Sequence, residues 1–443
     1  MTDNNDLKIK NDTEITGILK ETGSIPSEAG AIDASGGGIS VSSPVTVPEP
    51  GRRALSLRKG KDINVELLRV IACLMVIVTH VRPMIISADL RVMDSVLLMQ
   101  TLAAPAVGIF FLIAGFFAPR SSNFLRSWKK YLTSVLLPAI LLAIATDYLE
   151  DWIQGSSGII RSIMDGDLYW SLRNVFECLI SLDAGPFGLY NAHLWYVFTY
   201  MLIMLFLPVM CVLARHADRR VLWFFAILVS YRLIIVDIET LTGSLFRIYQ
   251  TTILPPELAI FMLGYLVYSG LAPCRGRRLT AIAAALSLAV IFSAMFIFQK
   301  KLYADMLADP SVDVTALNTS SPYFLTWVSG LSVLAAIAIT VLVLSLPLKG
   351  EWLYRILGFA GELTYPVYLV HFPILAKLIT SGLQLKLYGR FAGSGAGELI
   401  YTVLMTIIVY ALSMLLSFCI RFVWHHIRRG LSAVLHRLRK AAD

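Results

Sequence analysis

The chain has 443 residues, of which 57% are hydrophobic and 15% charged, and its mean hydropathy is +0.70. Soluble domains carry about 25% charged residues, so this composition excludes an ordinary water-soluble protein. Apolar runs long enough to cross a bilayer as helices recur along the chain. We therefore predict a polytopic integral membrane protein, in which the distribution of the net charge of +8 says more than its sum.

Cysteine spacing and missing motifs exclude several other classes. The five cysteines are scattered, with no C-x-x-C pair and no histidine at metal-ligand spacing. This pattern disfavours a disulfide framework, a zinc site and an iron–sulfur cluster. The sequence has no P-loop and no G-x-G-x-x-G after a strand, so nucleotide-driven pumping by this chain is not expected. We expect no permanently bound cofactor or metal and no nucleic-acid partner.

The amino-terminal segment differs from the rest of the chain. Residues 1–50 contain eight acidic residues, three lysines and no aromatic residue. Such a segment buries too little apolar surface to offset its ordering entropy, which predicts disorder. The predicted domains are a disordered acidic tail with a basic juxtamembrane band at 1–60, a transmembrane domain at 61–425 and a basic cytoplasmic tail at 426–443.

Ten apolar spans follow the tail. Lipid-exposed backbone must satisfy its own hydrogen bonds, so we predict that all ten are helical and that the fold is all-α. The spans are 63–83, 96–118, 128–147, 192–213, 220–237, 251–269, 279–299, 323–346, 356–379 and 399–423.

The distribution of Lys and Arg predicts the orientation. With the amino terminus inside, the inner segments hold 23 of these residues and the outer connections hold nine. Lys and Arg are retained on the cytoplasmic side, so this bias predicts that both termini are cytoplasmic.

The largest outer connection, 148–191, is acidic and rich in aromatic residues. Aromatic rings here suit the CH faces of a carbohydrate, and they equally suit anchoring at the membrane interface. The aromatic residues are Trp152, Tyr169, Trp170, Phe187 and Tyr190.

Two ionisable residues in the first span are candidates for chemistry. Arg69 and His80 are eleven residues apart, which is three helical turns plus about 20°, so both occupy one helix face about 16 Å apart. Cys73 and Val76/Ile77 lie between them. This arrangement suits a long substrate that is anionic at one end and reactive at the other, such as a coenzyme A thioester. Histidine acts as base and acid near neutrality, but a histidine at a membrane interface is also common without any chemical role.

A later span holds Glu362, Tyr365, Tyr368 and His371 between two prolines. Prolines free backbone carbonyl groups, which polar side chains or water usually meet. His371 is therefore either the partner of such a carbonyl or part of a catalytic cavity.

Two further patterns each leave two interpretations open. His193 and Trp195 begin the fourth span, either in an aromatic belt or facing substrate. The basic run after the second span is either ordinary positive-inside charge or the lining of a phosphate entrance, and its residues are Arg120, Arg126, Lys129 and Lys130.

Four stretches occur in the order seen in a known family. They are the Arg-x10-His segment ending at His80, GIFFLIAGFF, HLWYVFTYMLI and LTYPVYLVHFPI. From about Ile63 to about Arg421 the chain resembles the acyltransferase 3 family, whose members are multi-span membrane enzymes that acylate carbohydrates.

The resemblance implies roles for individual residues. Arg69 and His80 match the family's essential pair, and His193 matches its HLWFL-like element. Arg126 and Lys129 fall on its RxxR element, where Lys129 replaces the second Arg and so offers a point charge rather than a fork. Tyr365 and His371 match its SYxxYLxH element, in which Thr364 replaces Ser.

The resemblance further implies an O-acyltransferase, most simply an O-acetyltransferase, of the bacterial inner membrane. Acyl-CoA would be the co-substrate, with its phosphates docked against Arg69 and the Arg126/Lys129 region. Arg69 and His80 would be the catalytic pair, with His80 as general base. The acceptor would be a surface polysaccharide or lipid-linked glycan. The residues that bind the acceptor or support the site would be His193, Trp195, Glu362, Tyr365 and His371. Membrane lipid and polysaccharide assembly proteins are the other expected partners. The alternatives are a transporter or flippase without covalent chemistry, and a catalytically inactive scaffold.

Overall fold

The computed structural model describes residues 62–120, 123–182, 184–242, 256–271, 277–319 and 328–442. Within these ranges every regular element is a helix, and a single isolated bridge pairs Ile86 with Val92. The all-α fold class is thereby confirmed. The predicted acidic tail and basic band at 1–60 lie outside the described residues.

The first half of the described chain contains nine α-helices. They are α1 (Ile63–Val81), α2 (Asp94–Ala103), α3 (Ala106–Phe117), α4 (Phe124–Tyr131), α5 (Leu137–Tyr148), α6 (Glu150–Gln154), α7 (Ile159–Asp165), α8 (Leu168–Ser181) and α9 (Trp195–His216). A 3-10 segment, Leu189–Leu194, leads directly into α9.

The second half of the described chain contains eight more. They are α10 (Arg219–Thr242), α11 (Pro256–Leu271), α12 (Arg278–Leu307), α13 (Val314–Thr319), α14 (Gly330–Ser345), α15 (Glu351–Thr380), α16 (Leu383–Phe391) and α17 (Gly395–Ala442). The last helix continues well past the predicted end of the tenth span at residue 423.

Seven helical stretches in the described ranges are long and apolar enough to cross a membrane, and α11 and α14 are shorter apolar helices. Each of the ten predicted spans overlaps one or two of the described helices, and the fifth overlaps α10. The protein is therefore a multi-pass membrane protein, while the number of crossings and the side of each terminus stay predictions. The seven stretches are Ile63–Val81, Asp94–Phe117, Phe124–Tyr148, Tyr190–His216, Arg278–Leu307, Glu351–Thr380 and Gly395–Phe422.

The second and third predicted spans are not single regular helices. The second divides into α2 and α3 at Pro105, a residue that has no N–H to continue the α2 hydrogen-bond ladder. The third contains a π-helical segment, Leu132–Leu136, between α4 and α5. Pro138 follows it and has no N–H to bond the carbonyl four residues earlier, which favours this local widening.

Close backbone contact joins α3 to α11. A Cβ atom placed on Gly115 would lie 1.8 Å from the carbonyl oxygen of Phe261, and one on Gly264 would lie 2.2 Å from that of Leu112. Small residues allow helices in membranes to approach until their backbones touch. The helix that forms one wall of the site described below is therefore held by backbone packing.

The helix α1 is central to the bundle and is fixed at its beginning. It packs against α3, α14, α15 and α17. The Asp62 carboxylate accepts a hydrogen bond from the Asn64 backbone N–H at 3.1 Å, which caps the helix. The Asn64 amide in turn donates to the carbonyl groups of Val343 and Leu346, at 2.6 and 3.0 Å. The two candidate residues of α1 are thus carried on a rigid element.

Candidate active site

A cavity of about 1140 Å³, here called the central cavity, lies among α1, α3, α4, α9 and α15. One part of its wall is basic, formed by Arg69, Arg126 and Lys130. Another part is aromatic and is formed by Tyr131, Tyr196, Tyr200, Tyr365 and Tyr368. The lining also includes apolar residues of α1 and α3, among them Val76 and Phe110, and the carboxylate of Glu362. The cavity therefore combines cations with a largely apolar wall.

An ion pair orients Arg69 at the basic part of the cavity. Its Nη1 donates to Glu66 Oε1 at 2.9 Å, with 33% of the Arg69 side chain and 4% of the Glu66 side chain exposed. The Arg69 guanidinium carbon lies 6.0 Å from the ring centroid of Phe117. A buried carboxylate thus fixes a guanidinium whose other N–H groups remain available to a ligand.

Glu66 can occupy its position because residue 361 is a glycine. A Cβ atom on Gly361 of α15 would lie 1.8 Å from Glu66 Oε2 and 3.1 Å from Glu66 Cβ. Any other residue would push α15 away from α1 or displace the carboxylate that holds Arg69. The close approach of two helices and the orientation of the cation are therefore linked.

The structure separates the residues that were predicted to share one face of α1, and it changes which lysine after the second span lines the cavity. Arg69 and Val76 line the cavity, whereas Cys73 and Ile77 are buried against α15 and α17. Measured round the helix axis from Arg69, Cys73 lies at about +40° and Ile77 at about +80°, whereas Val76 lies at about −20°. Lys129 is exposed and is not among the cavity-lining residues, while its neighbour Lys130 is.

Tyrosine hydroxyl groups fix the aromatic wall to backbone carbonyls. The Tyr131 hydroxyl donates to the Val197 carbonyl at 2.7 Å, which ties α4 to α9. The Tyr365 hydroxyl donates to the carbonyl of Val135, inside the π-helical segment. Buried tyrosines usually find such partners, and here the partners lie on different helices. The two hydrogen bonds therefore fix the positions of Tyr131 and Tyr365 in the cavity wall.

Three histidines meet next to the cavity, together with Phe372; we call these four residues the histidine cluster. The ring centroids of His80 and His371 are 5.4 Å apart, and those of His193 and His371 are 5.1 Å apart. Phe372 lies 5.1 Å from His80 and 5.4 Å from His193. His371 and His193 are buried, whereas His80 is exposed. Three elements distant in sequence thus bring three titratable rings together.

His193 is the residue that meets a carbonyl freed by proline. Pro373 has no N–H, so the Leu369 carbonyl four residues earlier has no helical partner. His193 Nε2 lies 2.9 Å from that oxygen. A carbonyl only accepts, so Nε2 is assigned the hydrogen. A polar side chain therefore meets the carbonyl that Pro373 frees in this span, as expected. The side chain is His193 and not His371.

His371 is held by its own helix. Its Nδ1 lies 2.6 Å from the carbonyl oxygen of Tyr368, which assigns the hydrogen to Nδ1 and leaves a lone pair on Nε2. Nε2 is buried and has no hydrogen-bond partner among the described residues. The tautomer set by the helix therefore leaves a proton acceptor inside the histidine cluster.

Tyr368 joins the central cavity to the histidine cluster. Its side chain lines the cavity, and its ring centroid lies 5.8 Å from that of His371 and 5.7 Å from that of His193. Its hydroxyl donates to the His193 carbonyl. His80 is not itself among the lining residues and contacts this assembly through His371. Arg69 and His80 are therefore associated with the same cavity, His80 through two intervening rings.

A family model, the Acyltransferase domain of the acyltransferase 3 family, matches residues 62–421. The chain belongs to the acyltransferase 3 family. Comparisons with curated proteins and with solved structures give no match. The protein is thus a multi-pass membrane acyltransferase, a transferase of groups other than amino-acyl groups, and we do not propose transport or a scaffold role.

The other sequence-predicted residues of this acyltransferase occupy different places. Glu362 lines the central cavity and forms an ion pair with Arg421, whose Nη1 lies 2.5 Å from Glu362 Oε2. Trp195 is half-buried against the core and is not among the lining residues, whereas the adjacent Tyr196 is. Among the cavity-lining residues that the sequence analysis did not select are Tyr131, Tyr196, Tyr200 and Gly361. Spacing along one span gave no signal for them, because five helices supply the wall.

A second, smaller cavity of about 310 Å³, here called the acidic pocket, lies in the predicted outer connection. It is lined by Asp147, Glu150, Asp151, Asp165, Asp167 and Trp170, among others. The Asn191 amide donates to Asp147 Oδ1 at 3.2 Å, which links the pocket to the segment that carries His193. Within the described ranges, no group of three His, Cys, Asp or Glu side chains is arranged to hold a metal ion.

Proposed function

We propose that this acyltransferase transfers an acyl group, most simply acetyl, from acyl-CoA to a hydroxyl of a surface polysaccharide or lipid-linked glycan in the bacterial inner membrane. One observation carries the proposal. The central cavity has a cationic part at Arg69, Arg126 and Lys130, and it reaches Tyr368, which contacts the histidine cluster. A single substrate with an anionic end and a reactive end fits that layout.

The donor is proposed to bind with its phosphates at the basic part of the cavity. Guanidinium groups suit phosphate because they present several N–H donors in a fixed plane. Arg69 is already oriented by Glu66 at 2.9 Å, so little side-chain entropy is lost when it binds an anion. The pantetheine arm would then lie along Val76 and the tyrosines, which offer apolar surface with a few hydroxyl groups.

His80 is proposed as the general base. Its imidazole takes the proton of the acceptor hydroxyl as that oxygen attacks the thioester carbonyl carbon. The carbon–sulfur bond then breaks, and the imidazolium returns the proton to the coenzyme A thiolate. General-base assistance of this kind contributes about 10² to 10⁴ in rate. An acyl-histidine intermediate on His80 would use the same contacts and is the alternative route.

The remaining residues are proposed to support the acceptor and the reacting groups. His371 has the free Nε2 lone pair next to His80, which suits a proton relay. His193 and Tyr365 fix helices around the cavity through carbonyl groups, and Trp195 is a candidate for contact with the glycan. Glu362 follows Gly361 and pairs with Arg421, so its proposed role is to support the basic part of the cavity. Lys129 is exposed outside the cavity, so its proposed role is to attract the anionic donor towards the cavity by its charge. The assembly proteins of the polysaccharide are the proposed protein partners.

The test uses membranes that contain the full chain and acyl-CoA labelled in the acyl group. Label is expected in the glycan fraction with the wild-type protein, and His80→Ala is expected to lower its incorporation by about 10² or more at equal membrane abundance. The same assay with acetyl-, succinyl- and longer acyl-CoA reports the acyl group.

His216→Ala is the matched control, because His216 is an exposed histidine at the end of α9, outside the histidine cluster. It is expected to leave incorporation unchanged. Undiminished activity of His80→Ala would overturn the role of His80, and absence of labelled glycan from membranes of the wild type would overturn the proposed reaction.

A further inference from the structure

Two helices of the connection between α5 and α9 carry an unusual surface. One candidate membrane span ends at Tyr148 and the next begins at Tyr190. The connection therefore begins and ends at the same membrane face. Its helices α7 and α8 both pack against α5, which ends at that face, so they lie close to it.

The helix α8 has three distinct faces. Ser171 and Cys178 are buried, and the helix packs against α5 on that side. The next arc, about 120° wide at 100° per residue, carries exposed apolar side chains. They are Leu168, Tyr169, Leu172, Phe176 and Ile180, each more than half exposed.

The third face of α8 is polar and paired within itself. Arg173 Nε bonds Glu177 Oε1 at 2.8 Å, and the Arg173 guanidinium lies 4.8 Å from the ring centroid of Trp170. Buried, apolar-exposed and polar-exposed faces thus follow one another round the helix. A helix that met only the protein and water would not need the exposed apolar face.

The shorter helix α7 repeats this order of faces. Ser162 is buried, and Arg161 pairs with Asp165 at 3.4 Å on the polar side. Between them lie four exposed apolar side chains. They are Ile159, Ile160, Ile163 and Met164, of which Met164 is 79% exposed.

We propose that α7 and α8 lie in the headgroup–acyl boundary of the leaflet at this face, with these nine apolar residues in contact with phospholipid acyl chains. Helices with one apolar and one charged face bind membranes in this way. Lipid is the occupant because the two helices are joined to spans at both ends, and because α5, on which α8 packs, itself exposes Leu137 and Leu141.

The experiment places the photoreactive residue benzoylphenylalanine at single positions of the full chain, which is then reconstituted in vesicles. The vesicles contain phosphatidylethanolamine and phosphatidylglycerol with labelled acyl chains. The positions are Phe176 and Met164 on the apolar faces, Glu177 on the polar face and Leu141 on α5 as a lipid-facing reference. Irradiation is expected to couple lipid to Phe176 and Met164 at a level comparable to Leu141, and several-fold less to Glu177.

The inference is independent of the reaction, since photocoupling is read without acyl transfer. Equal, low lipid coupling at Phe176, Met164 and Glu177, with normal coupling at Leu141, would overturn it. Coupling of Phe176 chiefly to a second copy of the chain or to another membrane protein would also overturn it, because the apolar face would then be a protein interface. Two test positions keep the result decisive when one replacement disturbs folding.

Discussion

The basic part of the central cavity and the histidine cluster are built by opposite means. At the basic part, Arg69 is one-third exposed and is held by one ion pair with Glu66, while Lys130 is exposed. In the cluster, His193 and His371 are buried and each has one ring nitrogen fixed by a backbone carbonyl. The first region therefore offers exposed cations, of which Arg69 is oriented by a single ion pair, and the second offers lone pairs fixed by backbone carbonyls.

This difference teaches which changes each region should tolerate. Charge interactions fall off gradually with distance and depend on salt, so losing one of several cations should weaken binding without abolishing it. Proton transfer needs an acceptor within hydrogen-bond reach and in the correct tautomer, so losing one ring should lower turnover sharply. Mutations in the two regions are accordingly expected to separate into effects on KM for the donor and effects on kcat.

The largest expected effect after His80 is at His371. We expect His371→Ala to lower kcat by about 10² to 10⁴, because it removes the buried Nε2 lone pair beside His80. His371→Asn is the informative partner variant. Its amide N–H can still donate to the Tyr368 carbonyl, now met by Nδ1 at 2.6 Å, but it has no counterpart of Nε2. The measurement is the rate of label transfer at saturating donor and acceptor.

The asparagine variant separates two roles of His371, the hydrogen bond to the Tyr368 carbonyl and proton transfer through Nε2. Loss of kcat in both variants would support a role in proton transfer. Full activity in His371→Asn with loss in His371→Ala would show that only the hydrogen bond within the helix matters, and the cluster would then reduce to His80 and its packing.

A smaller effect is expected at Arg69, and it should fall on the donor. Hydrogen bonds to charged groups contribute about 1.5 to 3 kcal/mol, so Arg69→Ala should raise KM for acyl-CoA about tenfold or more. KM for the glycan should change little. Glu66→Gln should give part of the same effect, since it keeps the shape beside Gly361 but removes the charge that orients Arg69.

Arg355→Ala is the control for Arg69→Ala. Arg355 forms an exposed ion pair with Glu351 at 3.0 Å and does not line the central cavity. It removes the same charge from a nearby helix, so it should leave KM for acyl-CoA unchanged. A larger effect on the acceptor than on the donor in Arg69→Ala would mean that the cavity is oriented the other way.

The sequence predicted the helical class and the span positions because lipid imposes length and polarity on every crossing helix. It also placed Arg69 and His80 on one side of α1, because helical spacing is local. It missed the other tyrosines of the cavity wall, since Tyr131, Tyr196 and Tyr200 meet Tyr365 only after α4, α9 and α15 have packed. Nothing in local spacing reports which helices become neighbours.

The contact between His193 and Leu369 shows the same limit. The two residues are separated by 176 positions, and the freed carbonyl was predictable from Pro373 while its partner was not. Gly361 is a comparable case, because its necessity follows from the Glu66 carboxylate on another helix. The sequence reports which groups need partners, and the packing of the bundle decides which partners they find.

The smallest expected effect compares two adjacent lysines. Lys130 lines the central cavity, whereas Lys129, about 100° away on α4, does not. Exposed charges of this kind contribute about 0.2 to 1 kcal/mol, so Lys130→Ala should raise KM for acyl-CoA by a factor of about 1.4 to 5 and Lys129→Ala should leave it unchanged. The difference should shrink as salt is added, because both side chains are exposed. The opposite ranking would show that the second position of the family's RxxR element, held here by Lys129, binds the donor from outside the cavity.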